Sequence, residues 1–306
     1  MERMLRRACL PQSSDRLPLG GTGLLVSPLC LGITGTPATV LAAYDAGVNF
    51  FLLSSDLHWP LYEHTRVGIA KLLNDRRVNR DDIVVAGVSY LEEPLFRELQ
   101  VQEIVDSVPG LQRIDILLAG AISSQASLAR IAALQQAKLR RHAGASAIGA
   151  TFHRREQSRA AAAAGLIDIH FIRYNAAHPG ARRDLFPYFQ ADRSHLVFGF
   201  KSMMPQRQQQ TFDAVRKLNH LWIPKPTDYY RFALTPLCMD GLLCSPQNPE
   251  EFSQFSEALR KGPLNRAEEE YMIWLSGGSQ SAPKHAAGVN GFQVEPGSPF
   301  AGSPAV

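Results

Sequence analysis

Residues 41–73, LAAYDAGVNFFLLSSDLHWPLYEHTRVGIAKLL, carry the pattern that decides the fold. An amphipathic segment precedes the apolar run Val48–Leu53, a polar loop follows the run, and a second helical pattern begins near Glu63. A short continuous apolar run between helical patterns is typical of a strand buried in a parallel sheet. The stretch therefore predicts one helix, strand and helix of an alternating α/β protein.

The same alternation continues in both directions along the chain. Further strands are predicted at Ile83–Val88, Ile114–Leu118, Ala147–Ala150, Asp168–Tyr174, Leu196–Phe200 and Gly241–Cys244, with an opening strand near Leu29–Gly32. Helices should begin near Pro37, Glu63, Phe96, Ser124, Arg154, Ala181, Pro226 and Pro249, several of them at a proline or a capping residue. Eight such units with right-handed crossovers close into a ring, so we predict an α/β protein with a (β/α)8 TIM barrel.

Length and composition indicate one globular domain with two unstructured ends. The chain has 306 residues, of which 45% are hydrophobic and 20% charged, and a barrel of this class needs roughly 250 residues. We assign the barrel to residues 16–275. Residues 1–15 are polar and basic without periodicity, which predicts a flexible arm. Residues 276–306 are rich in Gly, Ser, Pro and Ala, which predicts a disordered tail.

Charge and hydropathy exclude several classes of partner. The formal net charge is +4 and no block of five or six like charges occurs, so neither a nucleic-acid surface nor a polybasic membrane anchor is expected. No apolar stretch reaches the ~20 residues that cross a bilayer, and Pro11 interrupts any signal-like start. The four cysteines lack metal or disulfide spacing. A cytoplasmic protein with a small-molecule substrate is expected.

Several segments resemble the aldo-keto reductase superfamily in order and spacing. LPLGGTGLLVSPLCLGITG at 17–35 resembles the first hairpin and strand of that family, DDIVVAG at 81–87 a middle strand, and LVFGFKSMMP at 196–205 a late one. The match is collinear over residues 16–275. The resemblance implies a barrel, an oxidoreductase activity and NADP(H). It also implies a catalytic tetrad of Asp, Tyr, Lys and His, in which the tyrosine is a proton donor with a lowered pKa.

The positions of that tetrad carry other residues in this chain. The resemblance places the aspartate at Leu52, the tyrosine at Leu57, the lysine at Val88 and the histidine at Gly120. None of these side chains can donate or tune a proton, so ordinary carbonyl reduction is not expected. The chain is therefore predicted to be a divergent member with a remodelled active site.

The cofactor positions implied by the resemblance are partly changed as well. Phe152, Phe171 and Phe255 stand where the family has amide side chains. The positions that remain suited to the cofactor are Thr151, Asn175, Phe200, Lys201, Ser245 and Glu251. NADP(H) is thus the implied cofactor, with weak support.

Polar residues at the predicted strand ends offer a replacement site, because a barrel of this class has its site at the carboxyl ends of its strands. Asp56, His58 and Tyr62 could supply a base, a shuttle and a phenolic acid. The alternative is a helix cap with exposed histidines. Arg173 could hold a carboxylate or phosphate, or could pair with a barrel acid such as Asp115; His178 completes the candidate catalytic set.

Three functions stay open at this point. The first is an oxidoreductase-derived enzyme acting on a small molecule. The second is a non-redox lyase or isomerase of an anionic substrate. The third is a catalytically silent scaffold subunit with a protein partner. No spacing of His, Cys or acidic residues predicts a metal site.

Overall fold

The computed structural model describes residues 4–75, 78–91, 94–136, 145–191, 193–203 and 222–277. The predicted tail, residues 276–306, lies outside these ranges apart from its first two positions. The four cysteines are free thiols. In the described part of the chain, no helix combines the length and apolarity that crossing a membrane would require.

Eight parallel strands close into a barrel, which confirms the predicted TIM barrel. A two-stranded hairpin of β1 (Leu17–Pro18) and β2 (Leu25–Val26) precedes it. The barrel strands run in chain order, and β10 pairs with β3 to close the ring. They are β3 (Leu29–Leu31), β4 (Phe50–Ser54), β5 (Val84–Ser89), β6 (Ile116–Ile122), β7 (Ala147–Phe152), β8 (Ile169–Arg173), β9 (Leu196–Phe200) and β10 (Gly241–Cys244).

Helices surround the barrel and connect its strands. Capping residues set several of the starts: Asn248 accepts a hydrogen bond from the Glu251 amide, and Asn265 accepts one from the Glu268 amide. The helices span Pro37–Asp45, Glu63–Asn74, Pro94–Asp106, Gln125–Gln136, Arg155–Ala163, Ala181–Asp184, Phe186–Ala191, Pro226–Leu234, Pro249–Arg260 and Arg266–Leu275. Single-turn 3₁₀ helices occupy Trp59–Tyr62 and Arg80–Asp82.

Strand register decides which side chains face the barrel interior. Phe50 is aligned with Val84, and the rings of Phe50, Phe171 and Phe198 contact one another at centroid distances of 5.6 to 6.3 Å. Side chains alternate along a strand, so every second residue from these phenylalanines also faces inward. The three rings fill the middle of the barrel and form an apolar floor beneath its carboxyl end.

The amino end of the barrel is closed by the hairpin. Asn49, which precedes β4, accepts a hydrogen bond from the Ser27 amide at 2.7 Å and donates one to the Leu25 carbonyl at 2.8 Å. These bonds tie the hairpin to the amino ends of the strands. The opposite, carboxyl end is where a functional site is expected.

The described part of the N-terminal segment packs against the barrel, in contrast to the predicted flexible arm. Leu10 is buried in the core, and Arg6 pairs with the buried Glu269 at 2.6 Å. Arg7 donates a hydrogen bond to the Met239 carbonyl at 2.7 Å. Local composition does not reveal these contacts, because the partners of the two arginines lie more than 230 residues away along the chain.

Candidate active site

Polar side chains collect on two opposite arcs of the barrel's carboxyl rim. One arc lies on the ends of β4, β5 and β6, and the other on the ends of β7, β8 and β9. The first arc contains the predicted Asp56, His58 and Tyr62, whereas Arg173 lies on the second. The structure therefore brings together only part of the predicted catalytic set.

Asp56 and His58 form a tightly held pair after β4. Asp56 Oδ1 accepts hydrogen bonds from the His58 ring Nδ1 at 2.8 Å, from the His58 amide at 2.9 Å and from Ser54 Oγ at 2.8 Å. The carboxylate thus holds the turn at residues 56–58 and fixes the imidazole, whereas the single-turn helix that follows has no side-chain cap. With Nδ1 directed at Asp56, the His58 Nε2 is the atom left to exchange a proton with a ligand.

Tyr90 is a functional candidate that sequence reasoning missed. It follows β5 on the inward parity of Val84, Ala86 and Val88, and its ring lies 5.3 Å from the His58 ring. A methyl carbon added to Gly120 would stand 2.4 Å from the Tyr90 ring. The tyrosine ring therefore occupies the space next to Gly120, the position that the resemblance assigns to histidine. Counting alternate residues along β5 was the signal that could have found it.

Burial controls the protonation of the two tyrosines on this arc. Desolvation raises the pKa of Tyr90, and the Asp56 carboxylate raises it further. Desolvation also raises the pKa of Tyr62, with smaller contributions from Tyr90 and Asp56. Both phenols therefore stay protonated at neutral pH. Tyr62 is buried behind the pair, so Tyr90, which is only partly buried, is the better placed proton donor.

The other positions of the implied tetrad are apolar and do not share one environment. Leu52 and Val88 lie on the inward parity of β4 and β5 and are buried. Leu57 is 97% exposed, so its side chain points away from the barrel into solvent.

The second arc is cationic. Arg173 ends β8 on the inward parity, aligned with Phe200 at the end of β9. Lys201 follows Phe200, and the ring of His153, just after β7, contacts Phe200 edge-on at 5.6 Å. Desolvation lowers the pKa of His153, and the charges of Lys201 and Arg173 lower it further. We call His153, Arg173 and Lys201 the cationic arc.

The predicted alternative partner of Arg173 lies elsewhere. Asp115 precedes β6 at the amino end of the barrel, where it pairs with Arg80 at 2.7 Å and with Arg113 at 3.0 Å. Arg173 has no hydrogen bond or ion pair with any residue in the described ranges. Asp115 is therefore not the partner of Arg173, and no described residue holds its guanidinium group.

Asn175 and His178 form a turn next to the cationic arc. The Asn175 Oδ1 accepts a hydrogen bond from the His178 amide at 2.9 Å and lies 3.1 Å from its ring Nδ1. The Asn175 amide also donates to the Lys201 carbonyl at 2.7 Å. Asn175 thus positions the backbone at Lys201, and His178 belongs to the turn that supports it.

The remaining cofactor candidates are spread over a wide surface. Thr151 lies on the inward parity of β7, and its Oγ1 accepts a hydrogen bond from the Ala121 amide at 2.7 Å. Ser245 and Glu251 are exposed after β10, the strand that pairs with β9. The Glu251 carboxylate accepts a hydrogen bond from the Gln247 amide at 2.9 Å, so it already closes its own loop.

Metal-ligand residues do not gather at this rim. Across the described ranges, no three side chains of the His, Cys, Asp and Glu types are close enough to hold a metal ion.

Comparison with known proteins yields structural likeness alone. No protein-family model matches the sequence, and no curated protein matches it. The holo form of aldo-keto reductase AKR11C1 from Bacillus halodurans superposes with a TM-score of 0.64 at 14% identity, covering 92% of this chain and 99% of that one. An aldo/keto reductase from Brucella melitensis superposes with a TM-score of 0.58 at 13% identity, covering 86% and 98%.

These likenesses cover 86 to 92% of this chain, in accord with the predicted resemblance. Identities of 13 and 14% carry the fold and not the activity. The chain therefore has the fold of the aldo-keto reductases.

Proposed function

We propose that this protein is a small-molecule enzyme descended from the aldo-keto reductases, with an active site rebuilt for proton transfer around Asp56, His58 and Tyr90. The observation that carries the proposal is the hydrogen-bonded Asp56 and His58 pair beside a tyrosine ring packed on Gly120. We call these three residues the proton-transfer group. They replace a tetrad whose positions here hold two leucines, a valine and a glycine.

The roles follow from the hydrogen bonds and the burial. Asp56 holds Nδ1 of His58, so His58 Nε2 can take a proton from a carbon next to a carbonyl group. The electron pair of the broken C–H bond then moves to the carbonyl oxygen. The Tyr90 phenol, kept protonated by its raised pKa, donates a hydrogen bond to that developing oxyanion. Return of a proton to the same carbon restores the carbonyl compound and completes a hydrogen exchange. In an α-hydroxy carbonyl compound, protonation of the former carbonyl carbon with loss of the neighbouring hydroxyl proton completes an isomerisation instead.

The nicotinamide end of the implied NADP(H) does not fit these residues well. Phe152 faces away from the barrel interior and stacks on His170 at 5.4 Å, while Phe171 belongs to the apolar floor. Neither can hold a carboxamide by hydrogen bonds. Thr151 and Phe200 alone retain suitable groups on the inward parity. These residues therefore do not support a hydride step. The cationic arc instead favours the non-redox alternative, in which the substrate is an anion.

The silent-scaffold alternative has one observation of its own. Leu57, Leu61 and Val67 are exposed on the loop and helix after β4, next to the rim. A scaffold needs this apolar surface and not the proton-transfer group, whereas an enzyme needs the reverse. Substitutions of His58 and Tyr90 thus separate the two functions.

The test is hydrogen exchange into substrate. A panel of small keto acids and phosphorylated ketones is incubated with the protein in D₂O, and loss of the C–H signal is followed by proton NMR. We expect exchange with at least one compound, and a loss of about 10²- to 10⁴-fold in His58→Ala and Tyr90→Phe. His64→Ala is the matched control, because His64 is an exposed histidine of the adjoining helix.

Two outcomes would contradict the proposal. One is exchange that persists unchanged in both variants. The other is saturable NADPH binding with steady ketone reduction, which would require a donor and a hydride path other than those described. If no compound of the panel exchanges hydrogen and His58→Ala still binds a protein partner as fully as the wild type does, the scaffold function is favoured.

A further inference from the structure

We infer that the ends of β7, β8 and β9 form an oxyanion-binding subsite, in which the cationic arc holds the carboxylate or phosphate of a small molecule across the mouth from the proton-transfer group. The subsite gives the substrate class of the proposed active site, and its role in catalysis rests on the proposed function. The binding itself can be tested independently of turnover.

Positive charge is concentrated in one sector of the rim. The three cationic-arc residues end three neighbouring strands of one sheet, so their side chains share one sector of the rim. Arg173 is half-buried above the Phe171 layer and has no partner among the described residues. A guanidinium above an apolar floor is less screened than one in bulk water, and its planar fork suits a two-oxygen anion.

No carboxylate of the described chain forms an ion pair with Arg173 or Lys201. A surface groove of 540 Å³ runs outward from His153 and includes the acids Glu156 and Asp184. Arg155 holds Asp184 through two hydrogen bonds to one carboxylate oxygen at 2.7 and 3.0 Å, and Glu156 is exposed at the helix surface. Desolvation lowers the pKa of His153, and the charges of Lys201 and Arg173, which lie close enough to act on it, lower it further.

The backbone is strained at Lys201. Its φ angle is +52°, a left-handed conformation that suits glycine and that costs roughly 1 kcal/mol or more for other residues. The Asn175 side chain secures this conformation through the Lys201 carbonyl at 2.7 Å. This held conformation places Lys201 directly after Phe200 at the rim, and we take its ammonium group as part of the subsite. Such strain is concentrated at ligand sites.

Calorimetric titration of the full chain tests the inference with two probes, inorganic phosphate and succinate, which separate a phosphate from a carboxylate ligand. We expect saturable binding of at least one probe. Arg173→Gln should weaken it about tenfold or more, because a charged hydrogen-bonding partner is lost. Lys201→Gly should weaken it as well while raising the midpoint of thermal unfolding, since the strain is relieved.

Arg260→Gln is the matched control for charge, because Arg260 is an exposed arginine at the end of the helix Pro249–Arg260. The control should change the affinity less than twofold, and so should His58→Ala. The inference is overturned if neither probe binds saturably, or if Arg260→Gln weakens binding as much as Arg173→Gln does. Arg173-dependent binding without any hydrogen exchange would retain the subsite and reject the proposed function.

Discussion

Replacing Gly120 by alanine should expel the Tyr90 ring from the rim. The added methyl carbon would stand 2.4, 2.5 and 2.8 Å from three ring carbons of Tyr90, whereas ordinary contacts begin near 3.4 Å. The Tyr90 ring must therefore move by about 1 Å. Because it lies at a strand end, it can do so only by leaving the site in which it is packed. Overpacking of this kind costs about 1–3 kcal/mol of unfolding free energy.

Urea unfolding measures this cost, with the slope on denaturant concentration checked for constancy. Gly21→Ala is the matched control, because no atom lies within 4 Å of its added methyl and the change should stay within about 0.5 kcal/mol. A double-mutant cycle decides the cause: in a Tyr90→Ala background the cost of Gly120→Ala should vanish. A cost that is equally large without the ring would refute the packing assigned to Tyr90.

Further predictions concern stability elsewhere in the barrel. Burial lowers the pKa of His170 well below its ordinary 6.5. The neutral His170 therefore contributes fully to the free energy of unfolding above pH 6.5, and this contribution is lost by about 1.4 kcal/mol per pH unit as the pH falls below that value. Urea titrations between pH 7 and 5.5 should show this slope in the wild type and a smaller one in His170→Gln. Arg80→Ala leaves the buried Asp115 with one fewer cation and three carbonyls without their donor, and should cost about 3–5 kcal/mol of unfolding free energy in the same assay. Arg80→Lys should recover this stability only if the lysine side chain reaches the same acceptors. Ala121→Gly relieves a φ angle of +55° and should stabilise by up to about 1 kcal/mol, whereas Ala119→Gly in β6 should destabilise by about 0.5–1 kcal/mol; the opposite order would show that Ala121 is not strained.

The barrel was predictable from the sequence because its signals are local. The predicted strands Leu196–Phe200 and Gly241–Cys244 match the structure at both ends, and the others differ by a few residues. β6 shows why the ends shift. Its prediction stopped at Leu118, but pairing with β7 carries the strand on to Ile122 across an irregularity in register. Apolar runs mark where a strand is buried, while hydrogen bonds with the neighbouring strand decide where it ends.

The candidate site was predictable in part. Asp56 and His58 are two residues apart, so a turn brings them together without help from the rest of the fold. Arg173 was assigned to a strand end correctly, but its proposed partner Asp115 proved to lie at the opposite end of the barrel. Position along a strand fixes the depth of a side chain in the barrel, and residues before and after a strand lie at opposite ends of it.

What the sequence determined by itself was therefore the order of strands and helices, because burial of an apolar run depends on a few consecutive residues. Only the tertiary structure decided that Tyr90 lies on Gly120 beside His58, and that His153, Arg173 and Lys201 share one arc. These groups come from different strands, so their meeting depends on the register of the closed sheet. Register is set by the summed packing and hydrogen bonding of the whole ring, which no local stretch of sequence contains.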